Sequence, residues 1–156
     1  MIKEGFEIVE LSNCHLSAVA ALEASCFSCP ISEKNLANIL LGGIGKGFVC
    51  IDTKTQEIAA YGGVIAVAGE AQVLNIATGL SYRRMGLAGA VVEAIIDYSV
   101  SNNAEYITLE VRESNASAIS LYKKFDFYEV GRIKKYYSSP VEDALILKKE
   151  LSSNLL

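Results

Sequence analysis

The sequence predicts a mixed α/β fold, a central β-sheet of six to seven strands with about four helices on its faces. Three observations carry this. Apolar residues switch repeatedly between period two and period 3.6 along the chain. The early strands follow one another through connections too short for a crossover helix, whereas later ones are separated by helical stretches. The chain has 156 residues, 51% hydrophobic and 21% charged, which suits one domain, 1–156, with a full core.

Each element has its own signal. Phe6 to Leu11 alternates as a short strand. Leu16 to Cys26 carries Leu16, Val19, Ala20, Leu22 and Glu23 at helical spacing. Pro30 breaks the chain, and Ser32 caps a second helix reaching Leu41, ended by the glycines at 42, 43, 45 and 47. Phe48 to Ile51, Ile58 to Val67 and Val73 to Thr78 form an antiparallel meander, with a hairpin turn from Asp52 to Gln56. Arg84 to Val100 is the strongest helix, with Leu87, Val91, Ile95 and Tyr98 on one face. Tyr106 to Val111 is a strand with Ile107, Leu109 and Val111 on one side and Thr108, Glu110 and Arg112 on the other. Asn115 to Phe125 is a helix, and Tyr128 to Tyr136 and Ala144 to Leu151 are the closing strands. The strand–helix–strand–helix–strand run from Val73 to Tyr136 predicts parallel neighbours and a right-handed crossover. Ligands of such sheets gather where neighbouring strands part.

Composition excludes several classes. With 2 prolines and 12 glycines the chain is neither collagenous nor of low complexity. A net charge of −4, with basic clusters only at Arg83-Arg84, Lys123-Lys124 and Arg132 to Lys135, argues against nucleic acid and allows a basic protein partner. No apolar run approaches a membrane span, and residues 1–4 begin no signal peptide. The expectation is a cytoplasmic protein with reduced cysteines. The composition is compatible with a monomer.

The most informative stretch is Asn75 to Val92. An apolar strand ends near Thr78, a polar turn follows, and Arg83-Arg84-Met85-Gly86-Leu87-Ala88-Gly89 leads into the long helix. The first amides of a helix have no internal partners and carry partial positive charge, so they can receive a phosphate. Gly86 and Gly89 clear side chains from the approach. A glycine-bearing helix start without a ligand is the simpler alternative. A rival glycine stretch, Gly42 to Gly47, fails as a nucleotide loop. Leu40 stands where the first glycine belongs, Gly47 replaces the Ser/Thr, and a helix precedes it, so it reads as a helix stop and flexible connection.

Arg83-x-x-Gly86-x-Ala88, placed between a strand and a helix, resembles the acetyl-CoA signature of the GCN5-related N-acetyltransferases. Downstream, Leu109 to Phe127 reads LEVRESNASAISLYKKFDF. This is similar to the bacterial ribosomal-protein-alanine N-acetyltransferase family, with Leu-Glu-Val-Arg-x-Ser-Asn and Ala-Ile-x-Leu-Tyr intact. The likeness runs from about Leu74 through the last strand, taking in Asn75-Ile76-Ala77, Tyr136-Tyr137 and Glu142-Asp143-Ala144. It is thinner through Cys26-Phe27-Ser28-x-Pro30-x-Ser32.

The resemblance implies that fold and a set of roles. Glu110 would be the base that takes a proton from the acceptor amine; periodicity alone leaves it a polar residue on a strand. Tyr122 would protonate the departing CoA thiolate; its alternative is a core tyrosine. Asn115, Ala118 and Tyr122 share one helix face, and Asn115 would both cap the helix and touch the cofactor. Ile76, Ala77 and Thr78 would pair with the pantetheine arm through their backbone. Arg84, Met85, Gly86, Leu87, Ala88 and Gly89 would cradle the pyrophosphate. The implied acceptor is the N-terminal alanine amine of a basic ribosomal protein, acetylated directly from acetyl-CoA in a ternary complex without a metal. Another amine as acceptor, or a non-catalytic acyl-CoA-binding module, stays open.

The chain departs from the family pattern in three places. Gly79-Leu80 replaces Asp-Pro, Asp126 replaces a glycine in a turn, and Pro30-Ile31-Ser32 replaces Pro-Trp-Ser. Cys26-x-x-Cys29 closes a helix rather than opening one and has no second ligand pair, so ordinary thiols are expected. His15, the single histidine, is expected at the surface or in a helix cap.

Overall fold

The computed structural model describes residues 2–151. The elements run β1 (Phe6–Glu10), α1 (Leu16–Cys26), α2 (Glu33–Leu40), β2 (Gly45–Asp52), β3 (Ile58–Val67), β4 (Glu70–Thr78), α3 (Leu87–Ser101), β5 (Tyr106–Arg112), α4 (Ala116–Lys124), β6 (Tyr128–Ser138) and β7 (Val141–Glu150). The seven strands form one mixed sheet in the order β1-β2-β3-β4-β5-β7-β6.

Adjacent residues of a strand face opposite sides, and the two sides bury different helices. Val49 and Tyr61 pack with Val19, Leu22, Leu36 and Leu40 of α1 and α2. Their neighbours Cys50 and Ala60 belong to the other layer, with Leu87, Val91 and Ile95 of α3 and Tyr122 of α4. Complete burial of a Leu or Ile side chain contributes roughly 1.5–3 kcal/mol. The α3 stripe of Leu87, Val91 and Ile95 therefore anchors the helix whose first turn matters below.

Local signals operate as expected at several points. Ser32 Oγ accepts from Asn35 N at 3.2 Å and starts α2. His15 accepts from Ser12 N at 2.9 Å and closes the short turn before α1. Asp126 has φ 69°, the left-handed conformation its substitution for glycine demands.

The structure corrects two expectations, and bears out the parallel neighbours by pairing β4 with β5. Gly45–Gly47 is not a flexible connection but the start of β2, paired with Ile65, Val64 and Gly63. A Cβ on Gly47 would lie 2.8 Å from Leu11 Cβ, so the glycine serves close packing rather than flexibility. The long helix begins at Leu87, not Arg84, because Arg84 (φ 65°) and Gly86 (φ 76°) are left-handed. β5 and β6 are not neighbours. β7 returns antiparallel after a tight turn and lies between them. The reason is compositional: Ala144, Leu145 and Leu147 of β7 are buried, whereas β6 is largely exposed and charged, which suits an edge.

The central feature is the junction of β4 and β5, the one parallel pair among the described residues. It is hydrogen-bonded only over Glu70–Gln72 and Tyr106–Thr108. Beyond that the strands part, although β4 runs on to Thr78 and β5 to Arg112. A bulge helps to turn β4 aside: two of its residues, Leu74 and Asn75, oppose the single Gly63 between the Gly62–Ile76 and Val64–Val73 pairs.

Candidate active site

The parted strands open a cleft of about 520 Å³. Val73 to Ile76 of β4 form one wall and Leu109 to Arg112 of β5 the other, with α4, the α1–α2 connection and the end of β6 around them. A second hollow of about 530 Å³ lies between α4 and the β6–β7 hairpin around Ile119 and Phe127. It contains no residue of the β4–β5 split and neither Glu110 nor Tyr122.

Glu110 sits in the β5 wall, half-buried. Gln72 Nε2 donates to Glu110 Oε2 at 3.3 Å, tying the carboxylate to the last paired rung. Tyr136 and Tyr137 stand near it. Burial first, and the Glu110 charge next, raise the pKa of Tyr136. Burial pushes Tyr137 up to about 12, with the neighbouring Tyr136 and Glu110 adding to it.

Tyr122 lines the same cleft from α4, with Ala118 one turn and Asn115 two turns before it. Its ring packs edge-on to Phe127, centroids 5.7 Å apart. Burial, then the nearby Tyr137, pushes its phenol up to about 12, so it holds its proton throughout the neutral range. Among the described residues no buried side-chain oxygen lacks a partner, and no protein group accepts from this hydroxyl. The hydroxyl is therefore presented to the cleft. Asn115 accepts from Ala118 N at 3.2 Å, the capping role expected of it.

The glycine turn has the character of an anion cradle. Gly86 precedes α3 with no side-chain cap, and the first helical bond runs from Ala90 N to Gly86 O at 3.2 Å. The amides of Leu87, Ala88 and Gly89 precede that bond. A Cβ on Gly86 would meet nothing within 4 Å, and one on Gly89 would make ordinary contact with the Phe125 ring at 3.7 Å and Leu121 Cδ1 at 3.8 Å. Open space beside free amides fits a diphosphate. Arg83 is engaged elsewhere: its Nε donates to Thr78 O at 3.3 Å and braces the turn against β4.

Two residues of the site were not singled out from the sequence. Glu23 on α1 is completely buried. It accepts from Tyr61 Oη, from Asn75 Nδ2 at 3.1 and 2.8 Å, and from Ile31 N at 2.9 Å, and so fastens the α1–α2 connection to β3 and β4. Its signal was visible, a carboxylate on an otherwise apolar helix face. Arg112, the last residue of β5, gathers partners from four segments, and the sequence showed it only as part of the Leu-Glu-Val-Arg match. The cysteines remain free thiols. Cys50 is buried and pushed up to about 11 by burial and then Asp52, which makes it unreactive. Among the described residues no cluster of three or more His, Cys, Asp or Glu has metal-binding geometry.

Comparison with known proteins matches this arrangement. The profile of the Acetyltransferase (GNAT) family aligns with residues 16–127, well over half of the chain. The chain belongs to this family. Like its relatives, it is an N-acetyltransferase. It is 32% identical over 148 residues to the ribosomal protein bS18-alanine N-acetyltransferase of Escherichia coli K12, covering 93% of this chain and 97% of that one. The crystal structure of the ribosomal-protein-S18-alanine N-acetyltransferase from Escherichia coli superposes with a TM-score of 0.85 at 32% identity, covering 96% of each chain. Arabidopsis thaliana NAA60, crystallised in complex with acetyl-CoA, shares the GNAT fold with a TM-score of 0.85 at 17% identity, covering 94% of this chain and 98% of that one.

Proposed function

We propose that this GNAT chain acetylates the N-terminal alanine amine of a basic ribosomal protein, taking the acetyl group from acetyl-CoA in a ternary complex. The observation that carries the reading is convergence: Ile76 at the parted edge of β4, the Glu110 carboxylate and the Tyr122 phenol line one cleft, and the free amides of α3 follow that strand after the turn 79–86. Identity near 30% along almost the whole length to enzymes of that activity supports the acceptor.

Acetyl-CoA supplies the acetyl group as a thioester. Leu87, Ala88 and Gly89 offer their amides to its diphosphate, with Arg84, Met85 and Gly86 shaping the turn. Ile76, Ala77 and Thr78 offer the unpaired edge of β4 to the pantetheine arm and hold the acetyl carbonyl. Asn115 borders the same channel. Glu110, directly or through one water, accepts a proton from the acceptor ammonium, whose pKa near 7.7 asks only a modest base. As the new C–N bond forms and the C–S bond breaks, Tyr122 gives its proton to the leaving sulphur, and the second proton shed by the nitrogen restores the phenol. Orientation and fixed dipoles supply most of the rate, as in other direct transfers. One catalytic domain in the cytoplasm, where donor and ribosomes occur together, completes the reading. Among the described residues no helix is long and apolar enough to cross a membrane.

Incubating a ribosomal protein extract with the enzyme and labelled acetyl-CoA, followed by mass spectrometry, tests the acceptor. The expected result is label on one N-terminal alanine, reproduced with a free but not an N-terminally blocked peptide. Label on lysines or on small amines alone would replace the acceptor. Acetyl-CoA binding without transfer to any amine would replace the activity.

A further inference from the structure

The part of the cleft remote from the glycine turn is bordered by two segments far apart in the chain. One is the α1–α2 connection, with Phe27, Ser28 and Ile31; the other is the end of β6, with Tyr136 and Tyr137. The structure joins them chiefly through one side chain, beside a long Cys29 Sγ–Ser138 Oγ contact of 4.0 Å. Arg112 Nη2 donates to Ser28 Oγ at 3.2 Å and to Ser139 O at 3.3 Å. Its Nη1 donates to Pro140 O at 3.0 Å and to Glu142 Oε1 at 3.2 Å. The guanidinium lies over the Tyr137 ring, 4.3 Å from its centroid. Glu142 is itself held by Ser114 N at 2.6 Å, so the fork is seated on the loop after β5.

A planar fork with five donors is the one side chain that can serve two loops, a carboxylate and an aromatic face together; a lysine ammonium offers three donors from a point. We propose that Arg112 is a positioning residue that clasps the two walls of the acceptor groove and thereby sets affinity for the acceptor's N-terminal segment, while donor binding depends on the opposite end of the cleft. The proposal rests on the reading of this cleft as a peptide N-acetyltransferase site. Arg112 acts through Ser28 on one wall and through Tyr137, whose ring meets Tyr136 edge-on at 5.0 Å, on the other.

The test compares the parent with Arg112→Met, Arg112→Lys, Ser28→Ala and the Ser28→Ala/Arg112→Met double variant. Steady-state kinetics use an alanine-initiated peptide and acetyl-CoA, calorimetry reads acetyl-CoA binding, and amide hydrogen exchange reads the loops. Loss of charge-assisted hydrogen bonds predicts that Arg112→Met raises the acceptor KM about 10-fold or more, with kcat changed less than about threefold. Acetyl-CoA affinity is expected to stay constant, Arg112→Lys to recover only part, and Ser28→Ala to raise KM about threefold. The double variant is expected to be no worse than Arg112→Met, because both remove one connection. Exchange rises at residues 27–31 and 137–139 and not at 86–89. An unchanged acceptor KM, a loss shared equally by acceptor, donor and kcat, or additive effects in the double variant would overturn the clasp. If the parent acetylates no peptide, the function reading fails separately, and exchange alone decides: faster exchange in the two walls supports the clasp, unaltered exchange removes it.

Discussion

The two ends of the proposed site are built by opposite means. At the α3 end, the groups on offer are backbone amides and an unpaired strand edge, and side chains matter chiefly by their absence at Gly86 and Gly89. At the β6 end, the groove is stitched by side chains, Glu23 to Tyr61, Asn75 and Ile31, and Arg112 to Ser28, Tyr137 and Glu142. The difference teaches that a site for a common donor can be written in backbone geometry, which a short motif encodes. On the proposed reading, the acceptor end depends on long-range side-chain contacts, whose partners no short motif reveals.

In the proposed mechanism the reacting centre lies between the two, and the largest effects are expected there. Tyr122→Phe should lower turnover about 10²–10⁴-fold while acetyl-CoA affinity by calorimetry hardly moves. The raised pKa has a definite sign: a phenol held at about 12 keeps its proton between pH 10 and 12, where an ordinary tyrosine loses it. The parent rate should therefore show no decline near pH 10 on account of Tyr122. Turnover unchanged by the substitution would return Tyr122 to the core.

Glu110→Gln should cost about 10²-fold below the amine pKa of about 7.7, where a proton must be removed, and progressively less above it. The ratio of kcat/KM for parent and variant across pH measures this. A ratio independent of pH would deny Glu110 the role of base.

A third substitution separates the two ends. Glu23→Ala leaves the Tyr61 hydroxyl, the Asn75 amide and the Ile31 N–H without their acceptor, and unpaired buried groups cost about 1–3 kcal/mol each, so a loss of about 3 kcal/mol or more in urea unfolding is expected. In the variant that remains folded, acceptor KM should rise more than acetyl-CoA Kd. Equal losses would mean that the two ends are not mechanically separate.

The smallest effect sharpens the α3 end. A Cβ on Gly89 makes only ordinary contact with Phe125 at 3.7 Å. Gly89→Ala should therefore stabilise α3 by about 0.5–1 kcal/mol in thermal unfolding. If the glycine admits a phosphate, the same change should weaken acetyl-CoA binding about fivefold, the size of one lost hydrogen bond. Greater stability with unchanged affinity would leave Gly89 as a helix residue and nothing more.

By itself the sequence determined the seven strands and four helices, because period-two and period-3.6 burial are local properties of consecutive residues. It also determined the glycine turn and the shared face of Asn115, Ala118 and Tyr122, since both depend on spacings of a few residues within one element. Only the tertiary structure decided that β7 lies between β5 and β6, and that Gly45–Gly47 extends β2. Competition among strands for the sheet interior, and the fit of Leu11 against Gly47, have no local trace. It alone decided the partners of Glu23 and Arg112, which come from residues 8 to 84 positions away. Hydrogen bonds of that span depend on where the sheet carries its strands, and the parting of β4 from β5 is what brings these groups to the borders of one cleft.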